Sequence, residues 1–441
     1  MSTMVERARG KLSAGRSIMA GLTVLAVVLT VSTLLHRYGF SGLALDQGAV
    51  RNWLEGNGLY AYRDPRSHLG AALPPAAAFL LVPFAFLPLG LAGWLTALAG
   101  LAALVLALIA LAGPVARRYG RSRRRIVLVG VLLALTLEPV RATLGLGRLD
   151  LILFGLITAD VVALRRGAWA RSRAAWWPGR PASAPPRGRP FRHLLQKGWA
   201  TGAWAGVGIG VATALAVGPG LFIGYLAVTR QWRAAFTALG TALILAVGAM
   251  LAAPSETAAW FGEVLWRLDR TGGIDLAGNQ SLAGVLARIY HSPTTPVLLW
   301  LSFSLVLIAV GMTRARSAHL DGDEIAAFTL IGLTSAIVGP VTSANEVMWV
   351  LPAILILLDA AARKRLAVRR PRPRWYYPAA AAVATYLLFV LDPVWNSYAL
   401  ALTLLVCALP WRPGVAPAFP INRWIGQRRP AIPPARRPMG S

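Results

Sequence analysis

The sequence predicts an all-α fold, a polytopic transmembrane helical bundle with about 11–13 membrane segments and two larger outer loops. Three observations carry that prediction. Of 441 residues, 56% are hydrophobic and only 14% are charged. The apolar residues come in long blocks, such as 18–35, 91–112 and 234–253, without the alternation of a strand or the 3.6-residue period of an amphipathic helix. The charges, finally, are segregated between loops. About 20 mostly apolar residues cross roughly 30 Å of hydrocarbon, and lipid offers no partner to an open backbone, so each block closes its own hydrogen bonds as a helix.

Taken in order, residues 1–17 are a basic cytoplasmic N-terminus. The block 18–35 exceeds a signal-peptide core and no small-residue cleavage site follows it, so it reads as a retained first span. It delivers a polar outer loop, 36–73. The piece 75–88 is either re-entrant or a span that forces one basic loop to break the charge rule. A full span ends near residue 112, and spans at 126–138 and 149–164 flank an outer turn carrying Arg141, Gly147, Arg148 and Asp150. The basic stretch 165–197, rich in Pro, Arg and Ser, is a disordered cytoplasmic linker. Helix 199–217 breaks at Gly218-Pro219-Gly220, since a proline removes a backbone hydrogen bond, and half-helices at membrane depth line cavities. The span 234–253 leads to a second outer loop, 254–296. Spans near 297–313, 325–341, 346–361, 378–391 and 397–410 complete a membrane domain over 18–411, and a basic disordered tail, 412–441, is cytoplasmic.

The formal net charge of +28 suggests nucleic acid until its distribution is read. The loops assigned to the inside hold 36 of the 45 Lys and Arg residues, while 11 of the 17 acidic residues lie in or beside outer segments. Basic loops resist translocation, so the charge reports orientation in the plasma membrane, with both termini cytoplasmic. Basic runs such as Arg121 to Arg125 adjoin spans and lack interleaved aromatics, so the expected partners are membrane lipids and no nucleic acid. The lone cysteine, Cys407, leaves no disulfide and no Cys-rich zinc site. No metal-ligand cluster is visible, and no cofactor is expected.

The candidate residues gather in the outer segments. Asp46, just beyond the first span, has the position of a general base toward a hydroxyl. Asp is also a preferred N-cap, and spacing by itself favours Asp46 as the cap of a helix over 47–55. Arg148 and Asp150 either grip a phosphate and orient a sugar, or are a snorkelling arginine and a solvated cap. Asn345 and Glu346 interrupt two apolar spans where a loop is needed in any case.

In order, the motifs are Asp46, then Gly58-Leu59-Tyr60, Pro74-Pro75 and Leu87-Pro88; Gly147-Arg148-Leu149-Asp150; Ala216-Val217-Gly218-Pro219 with Arg230-Gln231-Trp232-Arg233; Asn279-Gln280-Ser281-Leu282 running on to Gly284 and Arg288; and Gly339-Pro340 through Asn345-Glu346 to Trp349 and Pro352. Together, over about residues 18–360, they resemble glycosyltransferase family 87, membrane enzymes of the GT-C fold that include polyprenyl-phosphate-mannose-dependent α-1,2-mannosyltransferases. The chain departs from the family pattern at four places: Ala216 stands for a lysine, Asn345-Glu346 for two histidines, Arg148 for a glutamine and Asp150 for an asparagine.

The resemblance implies an inverting hexosyltransferase. It would move a sugar, foremost mannose, from a polyprenyl-phosphate donor to a lipid-linked or cell-envelope glycan acceptor, without a metal. Asp46 would be the base. Arg148, and with it Arg288, would steady the departing phosphate, while Asp150, Tyr60, Asn279, Gln280, Asn345 and Glu346 would bind substrate. Arg148 is expected to matter to the donor far more than Arg267. The alternatives are an arabinofuranosyltransferase, a lipid or sugar transporter, and an inactive scaffold. A transporter predicts repeated halves and polar residues within spans; no repeat is evident, and Asp160 and Asp359 fall near cytoplasmic helix ends.

Overall fold

The computed structural model describes residues 37–65, 67–120, 122–176, 201–267, 270, 273–291, 295–366 and 376–413, with Gly21, Leu25 and Gly198. The expected first span at 18–35 lies outside the described residues apart from Gly21 and Leu25, as do the N-terminus, the tail beyond residue 413 and most of the linker. The described residues form sixteen α-helices and two 3-10 turns, with a single antiparallel bridge between Arg63 and Gly70 and no β-strand. The chain is an all-α polytopic membrane protein.

In chain order the first helices are α1 (Ser41–Leu54), α2 (Pro75–Ala85), α3 (Leu89–Arg118), α4 (Arg123–Thr136), α5 (Glu138–Leu146) and α6 (Asp150–Trp176). Next come α7 (Val207–Leu215), α8 (Gly220–Val228), α9 (Trp232–Ala252), α10 (Pro254–Gly262) and α11 (Leu282–Ile289). The last are α12 (Val297–Leu320), α13 (Glu324–Val338), α14 (Val350–Leu366), α15 (Tyr376–Val390) and α16 (Ser397–Ala408). Among these, α3, α9 and α12 are each long and apolar enough to cross a membrane alone, and α4 with α5, bent by 73°, makes a fourth if counted as one span. Their outward faces are apolar: Phe236, Leu243, Ile244 and Leu251 on α9, and Leu298, Phe303 and Leu305 on α12, are exposed. Such surfaces suit lipid.

The helices pack closely through small residues, as membrane helices do where lipid gives no hydrophobic drive to associate. α7 is wedged between α6 and α9. A Cβ on Gly208 would stand 2.3 Å from the Leu156 carbonyl oxygen, and one on Gly210 would stand 2.4 Å from that of Ala238.

Four expectations about the segments change. Helix α2 has eleven residues, a length of about 16 Å, too short to cross. Its C-terminal carbonyls are bound by α1: Gln47 Nε2 donates to Phe84 and Leu87 at 2.7 and 2.8 Å, and Arg51 Nε to Ala85 at 2.7 Å. This length fits the re-entrant reading of 75–88 better than a full span. Arg141 is not in an outer turn but in α5, where it donates to Glu138 Oε2 at 3.0 Å and to the Val390 carbonyl at 2.8 Å; Pro139 in the first turn starts this helix afresh after the bend. The basic stretch from residue 165 stays helical to Trp176, because Ala and Arg favour a helix and the first proline comes only at Pro178. The outer loop 254–296 contains α10, a 3-10 turn and α11.

The expected break is where the prolines place it. α7 ends at Leu215, Ala216 is extended, and Pro219 precedes α8. Ser335 Oγ on α13 donates 2.7 Å to the Gly218 carbonyl freed by the break.

Basic residues from distant loops converge at one end of the bundle. Arg118, Arg165 and Arg412 line a small cleft there with Asp323, Glu324 and Asp359. Asp359 is buried; it binds Arg363 at 3.1 Å, accepts from Tyr119 at 3.1 Å, and is gripped by Arg412. Trp411 Nε1 donates to Asp321 at 2.7 Å, so residues 411 and 412 are strapped across the ends of α12 and α14. Removing one side of a buried pair strands the other charge. Asp359→Ala is expected to cost about 3 kcal/mol; an unchanged melting temperature in detergent would refute this.

Candidate active site

At the end opposite the arginine-rich cleft, the helices enclose a cavity of about 720 Å³. Six parts of the chain shape it: α1, the stretch before α2, the turn between α5 and α6, the break between α7 and α8, the stretch from α10 to Arg267, and the loop between α13 and α14. Its floor is aromatic. Trp349 lies 5.1 Å, centroid to centroid, from both Phe154 and Phe222.

Asp46 belongs to α1 and points at this cavity. The helix begins at Ser41, six residues earlier than the spacing suggested, and its N-cap is Phe40 in the left-handed region at φ 55°. This overturns the capping reading: Asp46 is interior to the helix, its side chain 11% exposed, and accepts from Arg148 Nη1 at 3.0 Å. Local geometry brings the two together. Gly147 ends α5 at φ 70°, a conformation that costs glycine little, and a Cβ there would meet Leu43 Cβ at 2.8 Å. A Cβ on Gly42 would meet Arg148 Nε at 2.8 Å, so α1 and the 147–149 turn touch through two glycines.

Asp150 Oδ2 accepts from Asn345 Nδ2 at 2.9 Å, which ties the start of α6 to the 344–346 turn. Thr143 Oγ1 donates to the Asn345 carbonyl at 3.2 Å, tying α5 to the same turn. Asp46, Arg148, Asp150, Asn345 and Glu346 thus converge on one cavity wall from three separate segments. Burial pushes the Asp46 carboxyl above its ordinary range and the Arg148 charge opposes it. Arg148 is held more firmly cationic, chiefly by Asp46 against its own burial. Glu346 is open to the cavity yet ringed by protein. That enclosure and the Asp150 charge raise its pKa, with Arg148 opposing.

The other sequence candidates are placed differently. Asn279, Gln280 and Arg288 do not line the cavity. The Asn279 amide donates to Ile274 and Pro340 carbonyls, while its Oδ1 accepts from the Ser281 and Thr342 amides. Gln280 Nε2 donates to Trp395 at 2.6 Å and its Oε1 accepts from Tyr398 N at 3.1 Å. Arg288 donates to Asn396 Oδ1 at 2.6 and 2.9 Å and to the Leu276 carbonyl at 2.7 Å. These groups close loop carbonyls and brace the 340–342 strand of the cavity wall, and Arg288 is turned away from any phosphate there. Tyr60 donates to the Leu73 carbonyl at 3.0 Å and stacks on Trp260, 6.1 Å between centroids, behind the lining.

Sequence reasoning passed over Trp260, Trp349 and Arg267 as lining residues. Arg267, the arginine expected to be remote, stands at the cavity edge in an exposed pair with Glu263 at 3.1 Å. Ala216, in the place of the family lysine, lines the cavity too. Among the described residues no group of three or more His, Cys, Asp and Glu is arranged to hold a metal ion.

The sequence comparisons fit this geometry. The model of glycosyltransferase family 87 matches residues 73–343, more than half of the chain. The chain belongs to glycosyltransferase family 87. The match includes Arg148 and Asp150, begins after Asp46 and ends just before Asn345 and Glu346. Among curated proteins, this family 87 chain is similar to a polyprenol-phosphate-mannose-dependent alpha-(1-2)-phosphatidylinositol mannoside mannosyltransferase of Mycobacterium tuberculosis, 27% identical over 326 residues, covering 70% of this chain and 68% of the relative. The protein of that name from Mycolicibacterium smegmatis is 25% identical, covering 71% and 69%. A phosphatidylinositol pentamannoside mannosyltransferase of M. tuberculosis with the same donor in its name is 22% identical, covering 82% and 74%. No solved structure matches. The protein is a membrane glycosyltransferase.

Proposed function

We propose that this family 87 enzyme transfers mannose from polyprenyl-phosphate mannose to a glycolipid or envelope glycan at the outer face of the plasma membrane, with inversion at the anomeric carbon. The observation that carries the reading is the Asp46–Arg148 pair at 3.0 Å on the wall of a 720 Å³ cavity. That volume lies within the ordinary range for small-molecule sites, and the pair supplies one carboxylate and one guanidinium to the same wall. The relatives' names support mannose over arabinofuranose. The gathering of basic loops at the opposite end supports a cytoplasmic position for that end.

In this mechanism an acceptor hydroxyl attacks C1 of the mannosyl group. The bond from C1 to the phosphate oxygen breaks, and its electron pair leaves with polyprenyl phosphate. The hydroxyl proton passes to Asp46 and then to water. A β-linked phosphate donor yields an α-linked product because attack comes from the opposite face. Negative charge grows on the departing phosphate, and Arg148 is the cavity cation placed to stabilise it. Its planar fork suits two phosphate oxygens at once. Asp150 and Asn345, bonded to each other, and Glu346 provide the polar wall for sugar hydroxyls.

The test is a transfer assay in right-side-out membrane vesicles carrying the full chain, supplied with polyprenyl-phosphate mannose, polyprenyl-phosphate arabinofuranose or nucleotide-linked mannose. Mannosylated lipid is expected from the first donor only. In a Cys407→Ser background, Asn57→Cys should react with a membrane-impermeant maleimide in intact cells. Product from the nucleotide donor, or labelling only after permeabilisation, would reject the reading.

A further inference from the structure

We propose that Arg148 locks Asp46 in the empty enzyme and that the donor phosphate opens the lock, so that the acceptor is bound productively only after the donor. This rests on the mannosyl-transfer reading above and adds to it an order of binding.

The geometry has an unusual feature for a base and its neighbouring cation. Arg148 and Asp46 both line the cavity, and the guanidinium, the more exposed of the two at 34% against 11%, holds Asp46 Oδ2. An acceptor hydroxyl entering the cavity therefore meets a carboxylate already paired through one of its oxygens. Gly42 and the turn at Gly147 hold the guanidinium there, with the backbone of α1 pressed against Arg148 Nε. An arginine has five N–H donors, and only one of them is engaged with a side-chain carboxylate here. The others are available to an anion entering the cavity.

Competition for that one cation is inherent in the wall. Asp46, Asp150 and Glu346 all act on Arg148, the first of them by direct contact. The other cation of the lining, Arg267, is paired with Glu263 at the edge. A phosphate oxygen that engages Arg148 therefore draws it from Asp46 and frees the carboxylate to accept a hydrogen bond from a hydroxyl. The same event strengthens the base, because burial raises its proton affinity and Arg148 is what holds it down. Without donor, Asp46 is paired and weakly basic, which also keeps water from being activated in an empty site.

Coupling of this kind is a reciprocal free energy between two ligands. The experiment measures binding of a phosphatidylinositol mannoside to the detergent-solubilised full chain, with and without saturating polyprenyl phosphate, the sugar-free form of the donor. In the wild type, polyprenyl phosphate should tighten mannoside binding at least about fivefold, and the mannoside should tighten polyprenyl phosphate binding by the same factor. Arg148→Gln, which keeps a hydrogen-bond donor without charge, should reduce both factors below about twofold, while Arg148→Lys should keep part of the coupling. Asp46→Asn approaches the lock from the other side. With no ion pair to break, it should bind polyprenyl phosphate several-fold more tightly while transferring no sugar.

Equal mannoside affinity with and without polyprenyl phosphate in the wild type would overturn the lock. So would coupling that survives in Arg148→Gln, or unchanged polyprenyl phosphate binding in Asp46→Asn. Failure of the underlying reading is distinguishable, since the wild type would then form no mannosylated product from any polyprenyl donor.

Discussion

Asp46→Asn is expected to lower the rate of sugar transfer by about 10²–10⁴-fold, the range over which a positioned general base acts. The substitution keeps the size of the side chain and its ability to accept from Arg148, so folding should survive, as read by gel filtration and by the melting temperature. What it removes is the only property the mechanism requires, a carboxylate able to take a proton. The structure makes the residue a sharper candidate than spacing did. As a cap, Asp46 would have faced backbone amides at the start of a helix; as an interior residue of α1 it faces Arg148 and the cavity. Transfer at a tenth of the wild-type rate or better in the variant would remove Asp46 from the role of base.

Gly332→Ala is expected to be the most damaging single-methyl substitution near the site. A Cβ there would fall 2.1–2.3 Å from three ring atoms of Trp349, and the helix carrying it is buried. The indole cannot retreat freely, because it packs on Phe154 and Phe222. Overpacking a tight core costs about 1–3 kcal/mol and at times more, and this contact is severe enough to sit at the upper end. Since Trp349 is also part of the cavity floor, transfer should fall together with stability. Gly240→Ala on α9, where an added Cβ meets nothing within 4 Å, should not destabilise and should raise stability by up to about 1 kcal/mol. Similar melting temperatures for the two variants would show that the floor is not packed as described.

The departures from the family pattern take on physical sense in this wall. Ala216 brings no charge to the cavity where the family has a lysine, and Glu346 brings a carboxyl where it has a histidine. Arg148 supplies a cation to the same space and stands beside Asp46, Asp150 and Glu346. We infer that the positive charge the family pattern places at residue 216 is supplied here by Arg148, from another segment of the wall. For a phosphate that has only to be met by a cation within the cavity, the segment of origin is secondary; for Asp46, whose partner is now 3.0 Å away, it is not.

Composition was enough to read the solvent and the helical class, and the order of short motifs the family, because apolar length and motif order are properties of the chain itself. The break at Gly218-Pro219-Gly220 was legible because proline acts on its own backbone, while the bend before Pro139 was not read. Tertiary structure alone decided that α2 has only eleven residues, that Arg141 sits inside a bent helix pair, and that Arg267 lies at the cavity. It also separated Asp46, Arg148, Asp150, Asn345 and Glu346, which meet on one wall, from Asn279, Gln280 and Arg288, which brace it from behind. Side chains of equal polarity look alike in a sequence. Which of them faces open space and which spends its hydrogen bonds on loop carbonyls is settled by neighbours brought from a hundred or more positions away.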